Sequence, residues 1–222
     1  MSLFKPLIAC VLIVLPVSAS AQPATDAEKP KRSLRGKHRI ELGIGLLTEL
    51  RNATEITIAG VTTQSNASGA LGFISYTYYF DNSFGFTIGA GVLDADATTS
   101  VSGTGAAVES ASVVPLLFGV KFQPEKLAAG NALRPYASAA IGPYFGSASN
   151  VRAGVTTSTE NVSEAVLGAR LGIGVDFFLG RLFTFGVGIG YHFVSDFENR
   201  IGSESDYSSP EFSLSLGVAF GG

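Results

Sequence analysis

The strictest constraint on this chain is a parity rule. From Glu211 to Phe220, Phe212, Leu214, Leu216, Val218 and Phe220 fall on one parity, and Glu211, Ser213, Ser215, Gly217 and Ala219 on the other. A strand sends successive side chains to opposite faces, so this segment has one broad apolar face and one small, polar face. The split recurs upstream. Leu167, Ala169, Leu171, Ile173, Val175 and Phe177 oppose Gly168, Arg170, Gly172, Gly174 and Asp176. Phe183, Phe185, Val187, Ile189, Tyr191 and Phe193 oppose Thr184, Gly186, Gly188, Gly190 and His192. In the clear strands no Lys, Arg, Asp or Glu sits on the apolar parity.

Eight such segments are expected: His38 to Leu50, Ala70 to Phe80, Phe84 to Val92, Ser112 to Gln123, Leu133 to Gly146, Ser163 to Phe178, Leu182 to Val194, and the last strand. In the second, Ile74, Tyr76, Tyr78 and Phe80 are assigned to the outer face. The fifth has the weakest alternation and contains Pro135 and Pro143. Pro115 in the fourth donates no ladder bond and implies a bulge or a strand start. Connections alternate. Long polar stretches at Arg51 to Ser68, Asp94 to Ser110, Ser147 to Asn161 and Ser195 to Ser209 take turns with short ones at Asp81-Asn82-Ser83 and Leu179-Gly180-Arg181, and a medium one from Pro124 to Ala132. A water-soluble sandwich needs no such rhythm, whereas a membrane barrel has short periplasmic turns and long external loops. Closure also satisfies every backbone group in lipid without a free edge. The fold expected is therefore all-β, an eight-stranded antiparallel transmembrane β-barrel with short periplasmic turns and four long external loops.

Composition agrees. Mean hydropathy is +0.33, yet no apolar run outside the N-terminus is long enough for a membrane helix. Residues 1–21 read as a secretory signal, with Lys5, a short apolar core from Leu7 to Val17, and a cleavage site at Ala19-Ser20-Ala21. Leu7-Ile8-Ala9-Cys10 matches a lipoprotein box, but the apolar run continues past Cys10. Cleavage removes the single cysteine, so disulfides and cysteine metal sites are excluded. Residues 22–37 are read as a disordered basic periplasmic leader, with five Lys/Arg against Asp26 and Glu28. Residues 38–222 form the barrel and are acidic, with nine Lys/Arg against sixteen Asp/Glu. Export of such a barrel places it in the outer membrane of a Gram-negative bacterium.

From His38 onward the chain resembles the small outer-membrane β-barrel families of the OmpA, OmpX and OmpW kind. The resemblance is carried by the Tyr78 to Asn82 turn, Gly119-Val120-Lys121-Phe122, Arg134-Pro135-Tyr136 and the aromatic-ended last strand. It implies that Phe212, Leu214, Leu216, Val218 and Phe220 form an assembly signal read by the barrel-assembly machinery. It also implies outer-membrane lipid and lipopolysaccharide as surroundings, and an external ligand or surface partner at the loops.

The candidate site is the set of ionisable residues on the small, polar parity: Arg39, Glu41, Lys121, Arg170, Asp176, His192 and Glu211. Strand direction puts Arg39, Glu41, Lys121 and Asp176 toward the periplasmic end, and His192 and Glu211 toward the outside on neighbouring strands. An eight-stranded barrel is just wide enough for its own side chains. Charges there must pair or stay hydrated, so an internal salt-bridge network is the first reading and a narrow path for small or apolar solutes the second. A third comes from lipid A deacylases of the PagL type, which use a His and a Ser two apart on one strand. Here Ser195 follows His192 by three, which puts it on the opposite face unless a bulge intervenes; Glu198, Asp206 or Glu211 would be the acid. Asp94 and Asp96 offer oxygens to Ca²⁺ but belong to a loop. Three glycosylation patterns, at Asn52, Asn66 and Asn161, are chance matches in a bacterial protein. The chain is thus expected to be non-catalytic, with no cofactor, no metal and no nucleic-acid partner.

Overall fold

Ile40, Leu42, Ile44 and Leu46 point away from the barrel axis, and Arg39, Glu41, Gly43 and Gly45 point into it. The computed structural model describes residues 32–47, 53–58, 61–66, 69–102, 105–129, 132–153, 158–202 and 205–221. The export signal with Ala19 and Ala21, the leader as far as residue 31 and the end of the first expected strand lie outside the described residues. The strands are β1 (Lys37–Leu47), β2 (Ala53–Ile58), β3 (Val61–Asn66), β4 (Gly69–Tyr79), β5 (Phe84–Ser102), β6 (Gly105–Phe122), β7 (Leu133–Ala153), β8 (Ser158–Leu179), β9 (Phe183–Val194) and β10 (Ser209–Gly221). A 3₁₀ turn, Glu125–Leu127, lies between β6 and β7.

Eight strands close in the order β1-β10-β9-β8-β7-β6-β5-β4, each antiparallel to its neighbours, and β2 pairs with β3 as a separate hairpin. Closure runs through β1, which pairs with β10 from Lys37↔Gly221 to Leu47↔Glu211 and with β4 from His38↔Tyr78 to Leu47↔Gly69. The outward row stays uncovered: Leu42 is 62 % exposed, Ile44 68 % and Leu216 64 %. A continuous apolar belt of this kind is stable only with hydrocarbon as its solvent. Aromatic rings gather where the belt meets the periplasmic interface. His38 stacks on Phe220 at 5.5 Å and hydrogen-bonds Tyr76 at 2.7 Å, and Phe84 packs on Phe122 at 4.7 Å.

Strand lengths depart from expectation. β5 to β8 have 19, 18, 21 and 22 residues, against 11 to 13 in β1, β4, β9 and β10. Two of the four stretches read as loops, Asp94 to Ser110 and Ser147 to Asn161, are mostly ladder: β5 pairs with β6 out to Ser102↔Gly105, and β7 with β8 out to Arg152↔Ser158. The physical reason is that a strand with both faces in water carries no apolar alternation, so only its Thr, Ser and Val content hints at extension. A crossing needs about 9–11 residues, so the surplus in β5 to β8 stands outside as one four-stranded wall about 20 Å high, at ~3.3 Å per residue and a tilt of about 40°.

Two of the prolines in the barrel, Pro115 and Pro143, each break a ladder on one side. β5–β6 pairing skips from Ala90↔Leu116 to Leu93↔Val113 around Pro115, and β6–β7 pairing skips from Pro115↔Tyr144 to Phe118↔Ile141 around Pro143. A missing N–H explains both gaps. Beside the second gap the backbones crowd: a Cβ on Gly142 would stand 2.0 Å from the Leu116 carbonyl oxygen. Between β8 and β9 the turn needs Gly180, whose φ is 69°.

Residues 32–37, read as the end of a disordered leader, are ordered. The Gly36 amide donates to the Tyr79 carbonyl at 2.8 Å, and Ser33 Oγ donates to Asn82 Oδ1 at 2.7 Å. Leu34 is fully buried against Tyr79 and Phe178 and closes the periplasmic end. One apolar residue among the leader's charges is what lets this segment fold back.

Candidate functional site: the barrel interior

Arg39 and Glu41 are two apart on β1, so both side chains enter the lumen. There they meet Asp176 from β8 and Lys121 from β6. Arg39 donates to Asp176 with both terminal nitrogens, at 2.5 and 2.8 Å, and to Glu41 at 2.5 Å. Lys121 Nζ lies 3.0 Å from Asp176 and 3.4 Å from Glu41. Two cations thus face two carboxylates, all buried. Neutral residues complete the shell. Gln123 Nε2 donates to Asp176 at 2.6 Å, Tyr79 donates to Gln123 at 2.7 Å, and Ser215 donates to Glu41 at 3.2 Å. Buried charges survive when paired and hydrogen-bonded in this way. The cluster spans the lumen from β1 to β8.

A second cluster lies nearer the outside. Arg170 on β8 grips Glu211 on β10 with Nε and a terminal nitrogen at 2.6 and 2.8 Å. His192 on β9 places Nε2 2.8 Å from Glu211, and its Nδ1 lies 2.8 Å from the Tyr144 hydroxyl on β7. With Glu211 ionised, the network assigns the Nε2–H tautomer, so Tyr144 O–H donates to Nδ1. Arg170, unplaced in height by strand direction alone, joins this upper group.

A cavity of about 110 Å³ separates the clusters, bordered by Ser75, Thr87, Tyr136, Ser138, Ser213 and Ser215 as well as the charges. It has room for a few waters with polar partners. Lys121 Nζ stands 4.0 Å over the Tyr136 ring. Above the cavity the lumen is apolar. Phe197, Ile201 and Tyr207, from the segment between β9 and β10, fold inward and bury against Leu47, Leu71, Leu93, Val113 and Tyr144. Tyr207 hydroxyl donates to the Ile201 carbonyl, and Glu164 on β8 fixes the same segment from outside. Its carboxylate accepts the Glu198 amide at 2.8 Å and the Asn199 amide at 3.0 Å. These backbone donors hold the Glu164 carboxyl below its usual range. The lumen is therefore stoppered at both ends, by Phe197–Ile201–Tyr207 outside and Leu34–Tyr79–Phe178 inside.

The residues of the deacylase reading are placed as follows. Both His192 ring nitrogens are occupied, by Tyr144 and Glu211, while Ser195 is exposed beyond the end of β9. Glu198 and Asp206 are exposed as well. Asp94 and Asp96 flank a register shift in β5, and their side chains lie outside the described residues. Among the described residues no group of three His, Cys, Asp or Glu could hold a metal. In β10, Phe212, Leu216, Val218 and Phe220 lie on the exposed outer row, with Leu214 half-buried in it.

Sequence reasoning missed Tyr144, Tyr136, Arg134, Gln123 and Tyr79 as interior residues, and the whole outer stopper. In β7 the parity was readable from Arg134, Tyr136, Ser138, Ala140 and Gly142, but the large rings point inward there and Ala137 and Ala139 outward.

The model of the outer membrane protein β-barrel domain matches residues 7–220, nearly the whole chain. The chain belongs to this family. Its members are outer-membrane barrels, so this outer-membrane β-barrel resides in the outer membrane of a Gram-negative bacterium, surrounded by lipid and lipopolysaccharide. Solved structures share the architecture at low identity. A major outer membrane protein from Thermus thermophilus aligns at TM-score 0.53 and 14 % identity, covering 83 % of this chain and 99 % of that one. Neisserial surface protein A aligns at 0.52 and 15 %, covering 83 % and 97 %. Ail, the attachment invasion locus protein of Yersinia pestis, in complex with the heparin analogue sucrose octasulfate, aligns at 0.51 and 15 %, covering 84 % and 99 %. No curated protein matches this β-barrel.

Proposed function

We propose that this barrel is a non-catalytic surface protein whose working part is the external wall of β5 to β8, with the sealed barrel as its anchor. The observation that carries this reading is the difference in strand length. Four strands stop near the membrane surface, while four adjoining ones continue about ten residues beyond what a crossing needs. Charge narrows the partner. The two polar stretches that build the wall, 94–110 and 147–161, carry four Asp/Glu against one Lys/Arg. An acidic, Ser/Thr-rich wall favours a basic protein surface and disfavours a sulfated polysaccharide. In this it differs from Ail, whose complex contains a heparin analogue; at 15 % identity that likeness carries the fold alone.

The test compares cells displaying the full chain with cells displaying a version whose residues 96–110 and 149–160 are replaced by two-residue turns. The full chain should bring cells onto a polylysine-coated surface and not onto heparin, and the shortened one should not. Equal adhesion by both overturns the proposal.

A narrow conduit for small or apolar solutes is the second reading, favoured by the internal cavity. It requires both stoppers to move. Unitary current steps in planar bilayers, altered by Lys121→Ala or Arg170→Ala, would support it over the first.

A further inference from the structure

The short-turn end of the barrel carries a groove of about 420 Å³ lined by Arg32, Ser33, Arg35, Lys37 and Arg181. Four of its five lining residues are cations and none is a carboxylate. The segment that builds it is pinned. Arg32 donates to the carbonyl oxygens of Gly180 (2.8 Å) and Arg181 and stacks on Phe178 at 4.7 Å. Lys37 Nζ donates to the Gly221 carbonyl at 2.7 Å. Burial, and then the charge of the nearby Arg134, draw the Arg32 guanidinium below its ordinary value. Like charges therefore crowd here without a carboxylate among the lining residues.

The position of the groove decides between partners. Lys37 is followed by His38, which stacks on Phe220, and Arg181 by Leu182 and Phe183, which are 51 % and 60 % exposed. Phe183 pairs with Val218, also on the outer row. Cations at the rim thus adjoin an apolar row that continues into the bilayer. That combination fits a molecule with a phosphate at the interface and acyl chains below it. We infer that the groove binds the phosphodiester headgroup of an anionic phospholipid in the periplasmic leaflet, with the acyl chains lying along Phe183, Val218 and Phe220. The acidic external stretches make this the basic pole of a molecule polarised across the membrane.

The test uses the protein purified from outer membranes and native mass spectrometry after incubation with mixed vesicles of phosphatidylglycerol and phosphatidylcholine. The native chain should retain phosphatidylglycerol over phosphatidylcholine by about tenfold, equivalent to about 1.4 kcal/mol, because the two lipids differ in net headgroup charge. Arg35→Ser with Arg181→Ser should abolish that selection, and the double lysine variant should keep it. Heat-modified gel mobility checks that each variant is folded. Raising salt should also remove the selection from the native chain, which tests the charge requirement without any variant. Equal retention of the two lipids, or selection that survives both the serine variant and high salt, overturns the inference. So does displacement of bound lipid by a soluble peptidoglycan fragment that itself binds through Arg35 and Arg181, since the ligand would then be a cell-wall carboxylate.

Discussion

Glu211 and Arg170 form a two-point ion pair, 2.6 and 2.8 Å long, between strands that are not neighbours in the barrel. The pair crosses over β9, whose His192 donates to the same Glu211 oxygen. Removing one partner leaves an uncompensated charge away from water. Glu211→Ala should therefore destabilise the barrel by about 3–5 kcal/mol, read from denaturant unfolding in lipid vesicles. Replacing both charges, Arg170→Met with Glu211→Leu, should cost less than half as much. Equal losses would mean that the pairing itself carries the stability.

The Glu164 carboxylate is held down by the amides of Glu198 and Asn199, so docking of this segment depends on pH in one direction. The carboxyl is depressed in the folded state. Its contribution is present above the ordinary carboxyl range and lost as pH falls through the depressed folded value. Amide hydrogen exchange at Glu198 and Asn199 should speed up on acidification, beyond the intrinsic trend. Glu164→Gln should remove that dependence.

Close approach of β6 and β7 makes Gly142 irreplaceable where Gly72 is not. A Cβ at Gly142 would strike the Leu116 carbonyl oxygen at 2.0 Å, whereas one at Gly72 meets nothing within 4 Å. Gly142→Ala should cost about 1–3 kcal/mol in the same unfolding assay. Gly72→Ala should be close to neutral.

The outer stopper is held by burial of Phe197, Ile201 and Tyr207. Phe197→Ala should cost about 3–5 kcal/mol if the segment stays docked. A smaller loss, with faster exchange of the amides from Ser195 to Ile201, would show that the stopper swings away at little cost. Planar-bilayer recording of the native chain should show no steps.

Phe220, last aromatic of the outer row, ends the strand that closes the barrel against β1. The resemblance to small outer-membrane barrels implies that it is read during assembly, and a residue in that role is sensitive in yield rather than in stability. Phe220→Ala should lower the amount of folded barrel per cell several-fold, scored by heat-modified mobility, with little change in the unfolding midpoint of the protein that does fold. An unchanged yield would remove Phe220 from that role.

What was legible in the sequence follows the contrast between lipid and lumen. Where Leu, Val and Phe face hydrocarbon and Gly, Thr or a charge faces inward, as in β9, β10 and the part of β8 from Leu167 to Phe177, parity alone separated outward from inward side chains. β7 inverts the size pattern: Tyr136 and Tyr144 fill the lumen while Ala137 and Ala139 meet lipid, so hydrophobicity gave no contrast to read. The wall was illegible for another reason, because Ser, Thr, Ala and Gly occupy both parities of 94–110 and 147–161 and leave no apolar alternation. Phe197, Ile201 and Tyr207 have no periodicity at all. Phe197 and Ile201 fill space left by Gly146, a three-dimensional fit that no local pattern records.

The unequal strand heights give the molecule a front and a back. On the flank formed by β9, β10, β1 and β4 the barrel ladder ends near the headgroups, with the β2–β3 hairpin a separate sheet, so a neighbouring protein or a bulky saccharide chain can approach the rim of the ladder. On the flank of β5 to β8 the projecting sheet keeps such neighbours at arm's length. In a crowded membrane the barrel should therefore adopt a preferred heading toward its neighbours, with contacts drawn from the low side.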